Sequence, residues 1–148
     1  MIQQSGLAAI VCCMLFLCSC GKSINYDLPD NPIVFQQNEE IINPHNSEDS
    51  YAGFTYNDRI YILYGTLNSS ISDNDINHCL GYIANEEDTT DNTIRVYTLV
   101  KDADCNYLMV RNAVGFMEQP VFYRATDTQR EHIATPEFID SLDYAYWE

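Results

Sequence analysis

A chain of 148 residues with 22 acidic and 7 basic side chains has a formal net charge of −15 at neutral pH. That balance argues against nucleic-acid binding and electrostatic adsorption to anionic lipid, since both draw on Lys and Arg; it allows a cationic protein, peptide or metal ion as partner, and solubility alone is the plainer reading of the same charge. Eleven Tyr, six Phe and one Trp, most of them in short runs with Val and Ile, favour strands.

The chain opens with Met1 to Gly6, which contain no Lys or Arg, and continues into Leu7 to Leu17, an uncharged apolar run. The run has the length of an export signal and falls short of the roughly 20 residues needed to cross a bilayer. Leu17-Cys18-Ser19-Cys20 ends it, with an aliphatic residue three positions before the last cysteine and a small one just before it. This resembles the lipobox of bacterial lipoproteins, with Cys20 in the acylated position. Cys18 does not fit, because Leu17 fills the small-residue place. Positive charge ahead of the apolar run, usual in such signals, is absent here.

The resemblance covers residues 1–21. It implies cleavage before Cys20, a lipid thioether on its sulfur, and attachment to a cell membrane facing outside the cytoplasm. Gly21 lacks the Asp that marks inner-membrane retention in diderm lipoproteins. All 22 acidic and 7 basic side chains lie after Cys20, so the exported part carries the whole charge and depends on its acyl chains for anchoring. The expected organisation is a signal peptide over 1–19, a lipidated cysteine and tether over 20–32, and a single mostly β domain over 33–148. Pro29-Asp30-Asn31-Pro32 is a turn signal within the tether.

Ile33 to Phe35 reads as a first edge strand, and Asn43 to Ser50, with Pro44, Asn46, Ser47 and Asp49, as loop. Tyr51 to Tyr56 and Arg59 to Leu67 are β-rich runs separated by Asn57-Asp58, a pair that tolerates the positive φ of a tight turn, so the spacing predicts a hairpin. Ser69 to Asn77 suits one helical turn capped by Ser72 or Asp75, before a strand from Cys79 to Ala84. After an acidic loop at Asn85 to Asn92, Thr93 to Val100 has the clearest period of two: Ile94, Val96 and Thr98 alternate with Arg95, Tyr97 and Leu99. Asp102 to Asn106 turns the chain into Tyr107 to Arg111, and Gly115 precedes a strand from Val121 to Arg124. Thr135 as a cap, Pro136 at a first helical position, and Phe138, Ile139, Leu142 and Ala145 at helical spacing predict a short C-terminal helix. The expected fold is mainly β, of α+β type: a small antiparallel barrel or sandwich closed by that helix.

Two cysteines follow the lipobox. Cys79 and Cys105 form an even pair, and in an oxidising compartment they invite a disulfide or else remain two buried thiols. Asp73, Asp75 and Asn77 have the alternating oxygens of a calcium loop, as do Asp102, Asp104 and Asn106. Neither run has Gly at the sixth position or Glu at the twelfth, and the same residues serve as ordinary turns and caps. His78 adjoins Cys79, but neighbours on a strand point to opposite faces, and nothing in the sequence places His45 or His132 near the thiol. No nucleophile elbow, zinc-protease helix or phosphate-cradling loop is present, and no cofactor is implied. The aromatic runs Tyr51 to Tyr64 and Tyr97 to Tyr107 suit a binding face or, more simply, a core. The expectation is a membrane-anchored binding or structural module for a cationic protein or peptide. The alternative is a cell-envelope hydrolase, which would have to gather His with acidic or Cys side chains in one cleft.

Overall fold

A computed structural model of the chain describes residues 27–43, 46–67, 71–84, 87–114, 119–129, 131–133, 136–141 and 144–145. Cys20 and the apolar run before it lie outside this set, as do His45, Gly115, Thr135 and Leu142. The fold is mainly β, one mixed sheet curled into a half-barrel. Its strands are β1 (Ile33–Phe35), β2 (Asn38–Asn43), β3 (Asn46–Tyr56), β4 (Arg59–Thr66), β5 (Ile76–Ile83), β6 (Ile94–Leu99), β7 (Tyr107–Asn112), β8 (Val121–Ala125) and β9 (Tyr144–Ala145). Eight lie in the order β1-β5-β6-β7-β8-β4-β3-β2, with β9 paired to β4 off this path.

Local turn chemistry sets much of this order. Asn57 and Asp58 sit at φ 49° and 60° and join Tyr56 directly to its partner Arg59, the two-residue hairpin with left-handed residues expected of such a pair. The Ser72 hydroxyl caps a 3-10 turn over Asp73–Asp75, accepting from the Asn74 N–H at 3.3 Å. Asp102 organises the next turn, its carboxylate accepting the N–H groups of Asn106 at 3.0 Å and Tyr107 at 2.8 Å.

Alternation then divides the side chains between two cores. Phe35, Phe54, Tyr61, Leu80, Val96, Leu108, Val110 and Tyr123 form one cluster. Because β1 and β3, far apart in strand order, both contribute to it, this cluster fills the inside of the curl, where the Phe35 and Phe54 rings meet edge-on at 5.1 Å. Cys79, Tyr97, Leu99, Tyr107, Met109 and Phe122 form the other, on the convex face beneath Leu67, Ile71 and Ile139, with Leu28 packed against it. Val96 to Leu99 are therefore all buried, as are Tyr107 to Val110. The alternation in β6 separates core from core rather than core from solvent, the pattern of strands covered on both faces.

Of the two architectures expected, barrel or sandwich, the sheet takes the barrel-like one, a single sheet curled into a half-barrel. Three expectations need correction. The sheet is mixed, since β1 runs parallel to β5; Gly81 allows the close approach, because a Cβ there would stand 1.9 Å from the Ile33 carbonyl oxygen. Residues 46–50 belong to β3 rather than to a loop. They form its outer end, exposed over 47–50, where Ile42 pairs with Ser50 and Asn43 with Asn46, so that Ser47 to Asp49 bulge out of register. In place of a C-terminal α-helix, the chain makes a 3-10 turn over Glu137–Ser141 and then pairs Tyr144 and Ala145 with β4. Ile139 still reaches the core. A helix this short has little stability of its own in water, and β4 offers the edge that β3 vacates after Ile62.

Candidate functional site

The paired thiols do not meet. Cys79 belongs to the convex core, where its Sγ–H donates to the Gly81 carbonyl at 3.5 Å and burial raises its pKa. Cys105 occupies the turn before β7 at φ 51°, packed against the concave core. Both are free. A disulfide needs its two Cα atoms within about 7 Å with converging Cβ vectors, and residues on opposite faces of a sheet do not provide that. Of the two alternatives, a bridge or a pair of separate thiols, the structure has the separate thiols, each held toward its neutral form by burial.

The calcium-like runs are used by the backbone. Asp73 and Asp75 lie in the capped 3-10 turn, and the chain enters β5 at Ile76, so Asn77 sits on an extended strand instead of curling round an ion. The Asp75 carbonyl accepts the Val100 N–H at 2.8 Å. In the second run both carboxylate oxygens of the buried Asp102 accept backbone N–H groups. Burial pushes its pKa up, and those two bonds partly restore it. Among the described residues no group of three His, Cys, Asp or Glu side chains gathers at metal-binding distance. His78 is exposed, its Nδ1 3.1 Å from the Thr98 hydroxyl, and His132 is exposed on a loop.

What the fold gathers is arginine, in three arrangements that sequence reasoning missed. Arg59, at the base of the β3–β4 hairpin, donates from Nε and Nη2 to both Asp127 carboxylate oxygens at 2.8 Å. It also donates to the Asp104 and Cys105 carbonyls at 2.7 and 3.2 Å and to Asn106 Oδ1 at 3.0 Å. Tyr61 beneath it donates its hydroxyl to the Cys105 carbonyl at 2.6 Å, and burial pushes that phenol's pKa up to about 12. Arg124 lies over the rings of Tyr64 and Tyr107 at 5.4 and 5.5 Å and donates to the Thr128 hydroxyl and carbonyl. Arg95 and Arg111 face each other across β6 and β7. The one sequence signal that could have found them is scarcity, since 7 basic side chains among 148 residues each merit an account.

No family model, curated protein or solved structure matches this chain.

Charge is distributed by position in the sheet. Between Lys22 and Arg59 the sequence has no Lys or Arg, while Asp27, Asp30, Glu39, Glu40, Glu48, Asp49 and Asp58 fall in that stretch. It contains β1 and β2, the two edges of the sheet, and β3 beside β2. On the β2–β3 ribbon Glu40, Glu48 and Asp49 are exposed, and Ile42 among them is 62% exposed. The described cations, apart from Arg59 at the hairpin base, lie on or between β6, β7 and β8.

Proposed function

We propose that this chain is a lipid-anchored module, held outside the cytoplasm through Cys20, that binds a cationic protein along its acidic β2–β3 ribbon. The observation that carries the reading is the composition of that ribbon: a stretch of sequence without Lys or Arg on which Glu40, Ile42, Glu48 and Asp49 are all exposed. Charge of one sign around an apolar contact is the arrangement in which electrostatics steers a partner of opposite sign and burial of the apolar group holds it. The lipobox at Leu17 to Cys20 and a charge of −15 in the part that follows support the address. A domain so charged has no electrostatic hold on an anionic membrane, and the acyl chains supply the attachment.

The test has two arms. Cys20→Ser should release the chain from the membrane or leave the precursor uncut, and normal processing with membrane retention would sink the anchoring. For binding, the tagged chain should capture a basic envelope protein at 0.1 M salt and release it toward 1 M, as the screening length falls from about 10 Å to about 3 Å. Combined Glu40→Gln, Glu48→Gln and Asp49→Asn, or Ile42→Ser alone, should weaken capture at least tenfold. Capture that ignores all four changes would refute the ribbon as the binding edge.

A further inference from the structure

One edge of β4 is divided between two strands. β3 takes its first half, in a ladder that runs from Tyr56 opposite Arg59 to Gly53 opposite Ile62 and stops there. β9 takes its second half, with Ala145 opposite Gly65 and Tyr144 opposite Thr66. The other edge of β4 belongs to β8, so β3 and β9 lie along the same one. Both run antiparallel to β4.

β3 does not end where its ladder with β4 ends. It begins at Asn46, and its outer half continues as the partner of β2. Carried past Gly53, the register of β3 on β4 would set Ala52 against Leu63, Tyr51 against Tyr64, Ser50 against Gly65 and Asp49 against Thr66. The last two places are the ones β9 fills. A residue pairs with one strand along a given edge, so the two arrangements exclude each other.

The side chains suit either arrangement. Phe54 and its partner Tyr61 both lie in the concave core, and two residues further on Ala52 and Leu63 would share that face, where Leu63 is already packed. Tyr51 would stand beside Tyr64 on the convex face, where Tyr64 packs, and a cross-strand pair of aromatic rings stabilises a sheet. Against this extension works the register shift of β4 on β8 between Leu63 and Gly65, since a bulge increases the local twist and bends its strand. In favour of it, a strand of two residues has few bonds to lose.

We propose that β9 is an exchangeable strap. While it holds Gly65 and Thr66, the outer part of the β2–β3 ribbon is kept apart from β4; when it leaves, β3 zips along β4 and draws the ribbon in. Two pairings of one sequence on one edge make a two-state element, and whatever takes up residues 144–145 shifts it. The position of β2, with exposed Ile42 on it, is thereby coupled to β9. This inference concerns where the ribbon lies and stands if the ribbon binds nothing.

The experiment is amide hydrogen exchange on the full chain, comparing the parent with a variant that carries both Tyr144→Pro and Ala145→Pro. Successive residues of a strand turn their N–H groups to opposite edges, and proline has none, so the double change removes whichever N–H β9 offers to β4. In the variant, the amides of Asp49 to Ala52 that turn toward β4 should exchange about tenfold more slowly than in the parent. Protection of buried Val96 and Val110 reports whether the variant folds. Should the prolines disturb the fold, Tyr144→Gly with Ala145→Gly weakens β9 without removing a donor, and it should slow the same amides by a smaller factor. A free peptide of residues 142–148, added in excess to either variant, offers β4 an intact β9 and should reverse the slowing. Exchange over Asp49 to Ala52 that is unchanged or faster in a folded variant, or slowing that the peptide fails to reverse, would overturn the proposal.

Discussion

Replacing Arg59 by Ala should destabilise the chain far more than replacing the residue it pairs with. The Arg59–Asp127 ion pair is short at 2.8 Å, but its side chains are 23% and 58% exposed, respectively, and such pairs contribute about 0–1 kcal/mol. The remaining bonds run elsewhere: Arg59 holds the carbonyls of Asp104 and Cys105 and the side chain of Asn106, and lies 5.8 Å from the Tyr61 ring centroid. These contacts fasten the β3–β4 hairpin to the turn that launches β7. Hydrogen bonds to a charged group contribute about 1.5–3 kcal/mol each when sheltered, and solvent at this half-buried site lowers that. Together they amount to about 2–3 kcal/mol, so Arg59→Ala should cost about 3 kcal/mol and lower the melting midpoint by about 10 °C. Asp127→Ala should cost about a third of that, and a double-mutant cycle should find a coupling no larger than the Asp127 effect. Equal losses in the two single variants would refute the reasoning, since the ion pair would then be the whole contribution. Acid should separate the two parts further. Hydrogen bonding to Arg59 holds the Asp127 carboxyl below its ordinary 3.8. A group whose folded pKa is depressed contributes stability above its unfolded pKa and loses it as pH falls through the folded value. That loss, confined below pH 3.8, should vanish in Arg59→Ala.

Asp58→Gly should stabilise the hairpin by about 0.5–1 kcal/mol, because both turn residues sit at positive φ and Gly occupies that region without a steric cost; a lower midpoint in denaturant would contradict it. Gly81→Ala should detach β1, since its Cβ would overlap the Ile33 backbone, and hydrogen exchange at Ile33 to Phe35 should rise to loop values while β7 keeps its protection. Burial raises the pKa of Tyr61 to about 12 and also raises those of Tyr97, Tyr107 and Tyr123. A raised folded pKa means that their contribution is complete below the unfolded value of 10 and is lost as pH rises from there through the folded values, so phenolate absorbance should appear together with loss of sheet signal. Early titration of these phenols in a folded chain would contradict that. Cys105 should react with a thiol reagent in the folded, unreduced chain faster than buried Cys79, and resistance of both until reduction would show that they are bonded.

Much of the local structure was legible in the residues themselves. Asn57-Asp58 determines a two-residue hairpin because few other pairs accept two left-handed residues in succession, and Ser72 and Asp102 cap their turns because short oxygen side chains reach nearby N–H groups. Such signals need only a few neighbouring residues. Helical spacing at the C-terminus misled for the same reason: Phe138 and Ile139 do contact the convex core, but an available β4 edge decided the backbone that carries them.

The candidate sites were beyond that reach. Period-two alternation in β6 shows that two faces differ and cannot show that both are covered, which depends on Leu67, Ile71 and Ile139 returning from elsewhere in the chain. Strand order and register are long-range properties, so only the folded sheet could put Cys79 and Cys105 on opposite faces, bring β1 alongside β5 and set Arg95 against Arg111. By itself the sequence determined a strongly acidic chain, a strand-rich composition and its turns, because charge and local backbone preference are carried by single residues. The tertiary structure decided which charges lie at the edges and which arginines share a row, because pairing is a relation between distant segments.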